Sequence, residues 1–202
     1  MTVHHHRRTR RRVVDPKKRL IIASALAALF VLALSSIVYA DHLENHDAFC
    51  ASCHSQPETT YYQRSLQAAQ VDLASFHRTK DTRCIDCHSG EGLIGRLGAM
   101  QVGADDLIRW VTHTARQPAP LTVPIGDGNC LKCHTDVPNT QDFNLHFHAF
   151  LLRWQAVDPN AGGCVSCHSA HTLDGDPAVQ FLNQNRTIQV CEACHAALGA
   201  GG

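Results

Sequence analysis

Aromatic residues make up only 6% of this 202-residue chain, and methionine occurs twice, as Met1 and Met100. So few large rings leave little material for a conventional apolar core, which would draw on Phe and Trp for bulk. The scarcity of methionine excludes thioether sulfur as a recurring metal ligand. Net charge is missing too, because 18 Lys and Arg are offset by 18 Asp and Glu. That balance conceals two opposite ends: residues 1–19 carry +7, with Arg7, Arg8, Arg10, Arg11, Arg12, Lys17, Lys18 and Arg19 against Asp15, and residues 20–202 carry −7. Basic residues gathered in one head, rather than spread over a folded surface, argue against a nucleic-acid binder.

Charge is wholly absent from Leu20 to Ala40, a run of 21 residues reading LIIASALAALFVLALSSIVYA. At about 1.5 Å per residue such a helix is about 30 Å long and matches the hydrocarbon thickness of a bilayer. The expected organisation is a basic cytoplasmic head over residues 1–19, a transmembrane helix over 20–40, and an exported domain over 41–202, oriented by the positive-inside rule. A cleaved signal peptide is the competing reading, since Val38-Tyr39-Ala40 before Asp41 would suit a signal peptidase. Secretory apolar regions are shorter, about 7–15 residues. The triplet His4, His5 and His6 reads as a polar piece of the head.

What the chain has in abundance is cysteine, ten residues that all fall into one pattern. The motifs are Cys50-Ala-Ser-Cys53-His54, Cys84-Ile-Asp-Cys87-His88, Cys130-Leu-Lys-Cys133-His134, Cys164-Val-Ser-Cys167-His168 and Cys191-Glu-Ala-Cys194-His195. CxxCH is the attachment signature of c-type haem, in which two thiols form thioethers with the vinyl groups and the adjacent histidine ligates the iron. Zinc ribbons use CxxC pairs two at a time and need no histidine after every second cysteine. A disulfide between residues i and i+3 would close a tiny loop and constrain the chain little. A redox-active CxxC would occur once, near a βαβ pattern that is absent here.

Five covalent haems c on the 162 residues from Asp41 onward amount to one per 32 residues. At that density the porphyrins supply the flat apolar surfaces that the aromatic content does not. The expected fold is mainly α: one N-terminal transmembrane helix, then a haem-packed domain of short helices and loops, with haems close enough to pass electrons. Intervals between the first cysteines run 34, 46, 34 and 27, which suggests two di-haem units joined by an insert, with a fifth haem appended. In the insert, Leu93, Leu97, Met100, Ala104, Leu107 and Val111 fall at helical spacing. An amphipathic core helix is the plainer expectation there, and a substrate-lining element the other.

Beyond the motifs and the head, seven histidines remain: His42, His46, His77, His113, His146, His148 and His171. Low-potential multihaem carriers need a second axial imidazole on each iron, and seven candidates suffice for five irons. His77 and His148 lie upstream of motifs, His171 lies three residues beyond His168, and His46 near the apolar run could serve the first haem. His113 and His146 complete the candidate set.

These features together resemble the NapC/NirT family of membrane-anchored multihaem quinol dehydrogenases over roughly residues 20–171. The resemblance is carried by the anchor followed by Phe49-Cys50-Ala-Ser-Cys53-His54, by Ser75-Phe76-His77 before the second motif, by Gly103-Ala104-Asp105-Asp106-Leu107, and by a fourth motif followed by His171. It implies a cytochrome that takes electrons from membrane quinol near its first haem and relays them to periplasmic redox partners. It also implies that His77, His148 and His171 supply distal ligands, often to a haem of the other half, and that Asp106 lies near the quinol site. The chain departs from the family where Gln56 replaces a methionine, where the nearest basic companion of Asp106 is Arg96, where His171 follows its motif one residue early, and in carrying a fifth motif.

Three functions compete. A stand-alone carrier would oxidise quinol, with Asp106 or Asp105 accepting a proton. A subunit of a larger respiratory assembly would resemble the pentahaem subunit of alternative complex III, where other subunits bind quinol. A catalytic reductase of nitrite or hydroxylamine would need an iron with an open position. No CxxCK variant occurs, and spare histidines are plentiful, so the third is the least favoured.

Overall fold

A computed structural model describes residues 15–53, 55–121 and 125–199. The basic residues from Arg7 to Arg12, the His4–His6 triplet and the motif histidine His54 lie outside the described residues. Among those described there is no β-strand, and the chain is mainly helical as expected. The chain divides into two compact units at Leu43 and Glu44.

Helix α1 (Pro16–Glu44) carries the apolar run and extends beyond it at both ends. Its start is encoded locally. Asp15 accepts from the Lys17 amide at 2.9 Å, satisfying one of the free N–H groups of the first turn, and Pro16 follows where a missing N–H costs nothing. None of its residues is buried, and by length and composition it could cross a membrane.

The second unit contains nine short to medium α-helices among its described residues: α2 (Asp47–Cys53), α3 (Glu58–Ser65), α4 (Leu73–Arg78), α5 (Cys84–His88), α6 (Gly92–Val111), α7 (Asp127–Leu131), α8 (His146–Gln155), α9 (Cys164–Cys167) and α10 (Gln184–Ala197). Four of them are tied at the N-terminus by a side-chain acceptor, α4 and α10 by their own N-cap residues and α5 and α9 by distant aspartates. Asp72 caps α4 by accepting from the Ser75 amide at 2.8 Å, while the Ser75 hydroxyl meets the Asp72 amide at 3.1 Å. Asn183 caps α10 in the same way, accepting from the Arg186 amide at 2.8 Å. Between α5 and α6 the chain turns at Gly90, with φ of +75°, where a Cβ would stand 2.2 Å from the Gly95 carbonyl oxygen. Only glycine fits there.

One contact occurs twice. Asp47 Oδ1 accepts from the Cys84 amide at 2.9 Å, and Asp127 Oδ1 accepts from the Cys164 amide at 2.7 Å, each across 37 residues. An aspartate three residues before an odd-numbered motif thus caps the helix of the next motif. The recurrence of this cap matches the recurrence of the 34-residue interval. Asp127 also accepts from Gln155 Nε2 at 2.7 Å, and Asp47 is paired with Arg78 at 3.4 Å. Asp127→Ala is expected to lower stability by about 1–2 kcal/mol, through the lost cap and the stranded amide. Asp127→Asn, which keeps an acceptor oxygen, should cost less, and urea denaturation of the two variants measures the difference.

The polypeptide supplies little core of its own. Among the described residues the buried apolar side chains are Leu151, Trp154, Cys167, Phe181 and Cys194. A domain of about 150 residues ordinarily buries about 68–70% of its unfolded surface, so this unit falls well short in apolar packing. Helix α6 makes the point directly. It forms over the expected segment, but its stripe is not buried against protein: Leu93 is 77% exposed, Leu97 58%, Leu107 53% and Val111 60%. The expectation of a core helix is corrected here: among the described residues no protein element covers this stripe.

Candidate haem sites

The five CxxCH motifs sit on helices or at their ends, where cysteines at i and i+3 share a face. All ten cysteines are unbridged. Consecutive motifs lie side by side, since α2 meets α5, α5 meets α7, α7 meets α9 and α9 meets α10. The Cys50 and Cys84 thiols hydrogen-bond, as do those of Cys130 and Cys164. The hydrogen bond from Cys164 draws the Cys130 thiol down to about 7, and the one from Cys84 lowers Cys50. Cys84 and Cys164, the donors, are pushed up by the same bonds and by burial. Cys87 feels Cys130 and Cys133, Lys132 Nζ donates to the Asp86 carbonyl at 3.2 Å, and Cys167 feels Cys191. The motifs therefore follow one another in space in their order along the chain.

The histidines complete the geometry. Four motif histidines each face a histidine from elsewhere: His88 faces His171 with ring centroids 6.2 Å apart, His134 faces His77 at 6.0 Å, His168 faces His148 at 6.3 Å, and His195 faces His146 at 6.4 Å. For the two nearly parallel pairs, His88 with His171 and His168 with His148, these separations are too long for face-to-face stacking. All four separations match two imidazoles bound to opposite sides of one metal, since a metal–nitrogen bond of about 2.0 Å and about 1.1 Å from nitrogen to ring centre place the centroids about 6.2 Å apart.

Hydrogen bonds at the other ring nitrogen support the same use. Nδ1 of His77 lies 2.9 Å from the Leu73 carbonyl oxygen, that of His146 3.0 Å from the Phe143 carbonyl, and that of His168 2.8 Å from the Gln180 carbonyl. Donation to a carbonyl makes Nδ1 the protonated nitrogen and leaves the Nε2 lone pair for a metal, the usual outer support of a metal-bound histidine. His171 differs. Its ring stacks on Tyr61 at 4.3 Å, and its Nδ1 is buried without a hydrogen-bond partner. Burial and the nearby His88 hold its pKa down at about 4, and burial with His168 lowers that of His148. Both shifts favour the neutral ring, the form that binds iron. Paired cysteines, a second histidine opposite each of four motif histidines and the sparse protein core all fit covalent haem.

The candidates fall into groups. His77, His146, His148 and His171 each lie opposite a motif histidine. His46 and His113 are exposed, and His54, the motif histidine for the first haem, lies outside the described residues. Asp105 is exposed and Asp106 half-buried on α6. Arg96, ten residues before Asp106 and about 15 Å along the same helix, is ion-paired with Glu44. Sequence reasoning missed Asp47, Asp127, Asp72 and Arg64. For the first two a signal existed, an aspartate three positions before the first and third motifs. Arg64 had none: it donates to Asp72 Oδ2 and to the His171 carbonyl oxygen, both at 2.8 Å, and so ties the start of the His77 helix to the His171 loop.

The doubled CXXCH motif family matches residues 158–200, which hold the fourth and fifth motifs. No curated protein and no solved structure matches the chain. The doubled motif indicates a multihaem c-type cytochrome with covalently bound haem c, a class of protein that transfers electrons. An N-terminal apolar helix that could anchor it in a membrane completes the description.

Proposed function

We propose that the protein is a membrane-anchored pentahaem cytochrome that takes electrons from the membrane quinol pool and passes them to periplasmic redox partners. Helix α1 would hold it in the cytoplasmic membrane, with residues 41–202 on the periplasmic side. The observation that carries this reading is the set of four histidine pairs at 6.0–6.4 Å, each including a motif histidine. Haem c, when bound, supplies a one-electron carrier at each motif. The chain's own part would be to hold each ring by two thioethers and its motif histidine, to bring a second histidine to four of the motifs, and to stand the motifs in sequence. His88 with His171, His134 with His77 and His168 with His148 are the residues that would hold the second, third and fourth haems. Two histidines at each of these irons would leave no position for a substrate, which favours relay over catalysis at these three.

Quinol oxidation releases two electrons and two protons. The electrons leave one at a time, and a carboxylate on α6 can take a proton, Asp106 in first place and Asp105 in second. Asp106→Asn is expected to slow quinol-driven haem reduction by roughly 100-fold, the lower end of a general-base contribution, while reduction by dithionite stays unchanged. Stopped-flow absorbance of the purified protein with a soluble quinol reads both rates. Failure of the wild-type protein to be reduced by quinol would overturn the reading.

The bare stripe of α6 favours a second reading, in which the protein is the electron-transfer subunit of a larger quinol-oxidising complex such as alternative complex III. Mild-detergent purification from native membranes separates the two, by recovering either integral-membrane partners in fixed stoichiometry or the cytochrome alone.

A further inference from the structure

We propose that the first turn of α8 is a two-sided ligand mount, with His146 completing the fifth iron site opposite His195 and His148 completing the fourth opposite His168. The inference rests on the haem reading and deepens it, because it assigns the ligand of the appended fifth motif and couples that motif rigidly to the fourth. Residues i and i+2 of an α-helix project about 200° apart, so His146 and His148 cannot serve one iron. They leave the helix in opposite directions, and each meets a different motif histidine, at 6.4 Å and 6.3 Å.

The turn is held between them. Phe147 meets Trp154 at 6.2 Å in an edge-on contact, and Trp154 is the most buried large side chain of the unit, 1% exposed. On the His146 side, Nδ1 lies 3.0 Å from the Phe143 carbonyl oxygen, and the Phe143 ring packs on the imidazole at 5.3 Å. The His146 ring thus has its tautomer and its rotation fixed before any iron is bound. On the fourth-motif side the orientation is set by the partner, since His168 Nδ1 lies 2.8 Å from the Gln180 carbonyl oxygen.

The two sites differ in a way that spectroscopy reads. The ring planes of His146 and His195 are 78° apart, whereas those of His148 and His168 are 16° apart. Two imidazoles in parallel planes donate to the same iron π-orbital and split it from its partner, which gives a rhombic low-spin ferric EPR signal. In perpendicular planes each imidazole donates to a different orbital, the pair stays nearly degenerate, and a single strongly anisotropic low-field signal results. The other two pairs divide likewise, His77 with His134 at 86° and His88 with His171 at 20°.

Ferric EPR of the full-length, haem-loaded protein tests the proposal, with intact mass giving the haem count. The wild type should show two strongly anisotropic and two rhombic low-spin signals from these four sites. His146→Ala should keep all haems attached, remove one anisotropic signal and add one high-spin haem, while His148→Ala should remove one rhombic signal instead. His146→Met, which preserves a ligand, should raise the potential of one haem, a result accessible even if the alanine variant loads poorly. Full haem loading with an unchanged spectrum and unchanged potentials in both His146 variants would overturn the assignment while leaving the cytochrome reading intact. Absence of covalent haem from the wild type would remove both.

Discussion

Replacing Asp72 by alanine is expected to cost about 3–5 kcal/mol of stability, the range for removing one partner of a buried ion pair. Asp72 is 2% exposed and Arg64 16%, and their 2.8 Å contact is the Arg64 guanidinium's pairing with the start of α4. Without the carboxylate, Arg64 would keep its contacts with the His171 carbonyl oxygen and the Tyr61 ring but lose its counter-charge while mostly buried, and the Ser75 amide would lose its cap. The effect reaches two proposed iron sites. Helix α4 carries His77, and Arg64 holds the His171 carbonyl, so both distal rings would lose their positioning together. Asp72→Asn keeps a capping oxygen and discards the charge, and should fall between wild type and alanine. Urea denaturation of the loaded protein gives the energies. Ferric EPR should show one rhombic and one anisotropic signal weakened together; a loss below 1 kcal/mol with an intact spectrum would show that the pair is not structural.

Trp154→Ala should be comparably severe, about 3–5 kcal/mol, as for other large core aromatics. Its ring is 1% exposed, meets Phe147 edge-on, donates from Nε1 to Asp158 at 3.1 Å and lies 3.3 Å from where a Cβ on Gly162 would stand. Trp154→Phe retains most of the ring and loses mainly the hydrogen bond, so it should cost about 0.5–1.5 kcal/mol more than nothing at the polar end, plus the smaller cavity. Denaturation midpoints of the two variants separate the packing from the hydrogen bond. Because α8 carries both His146 and His148, the alanine variant should also disturb the fourth and fifth sites before the second and third.

Much of the candidate site is legible along the chain because its covalent part is local. Two cysteines and a histidine within five residues need no partner to be recognised, and the apolar run of α1 announces itself by length. The insert reads as a helix and folds as one, since Leu93 to Val111 repeat at 3.6 residues. Its burial was not legible. Periodicity reports which residues share a face, not what lies against that face. The aspartate caps were hidden for a related reason: Asp47 and Asp127 stand in sequence beside one motif and act on the next, 37 residues away.

The sequence by itself determined the chemistry: ten thiols in five CxxCH motifs, too little aromatic mass for an ordinary core, enough spare histidines for second ligands, and an apolar helix with opposite charge on its two sides. Tertiary structure alone decided the partners. His77 stands upstream of the second motif yet faces the histidine of the third, and His171 follows the fourth yet faces that of the second. The pairing of these histidines is a through-space relation supported by caps such as Asp72 and clasps such as Arg64, and those depend on how distant segments pack, which no spacing along the chain records.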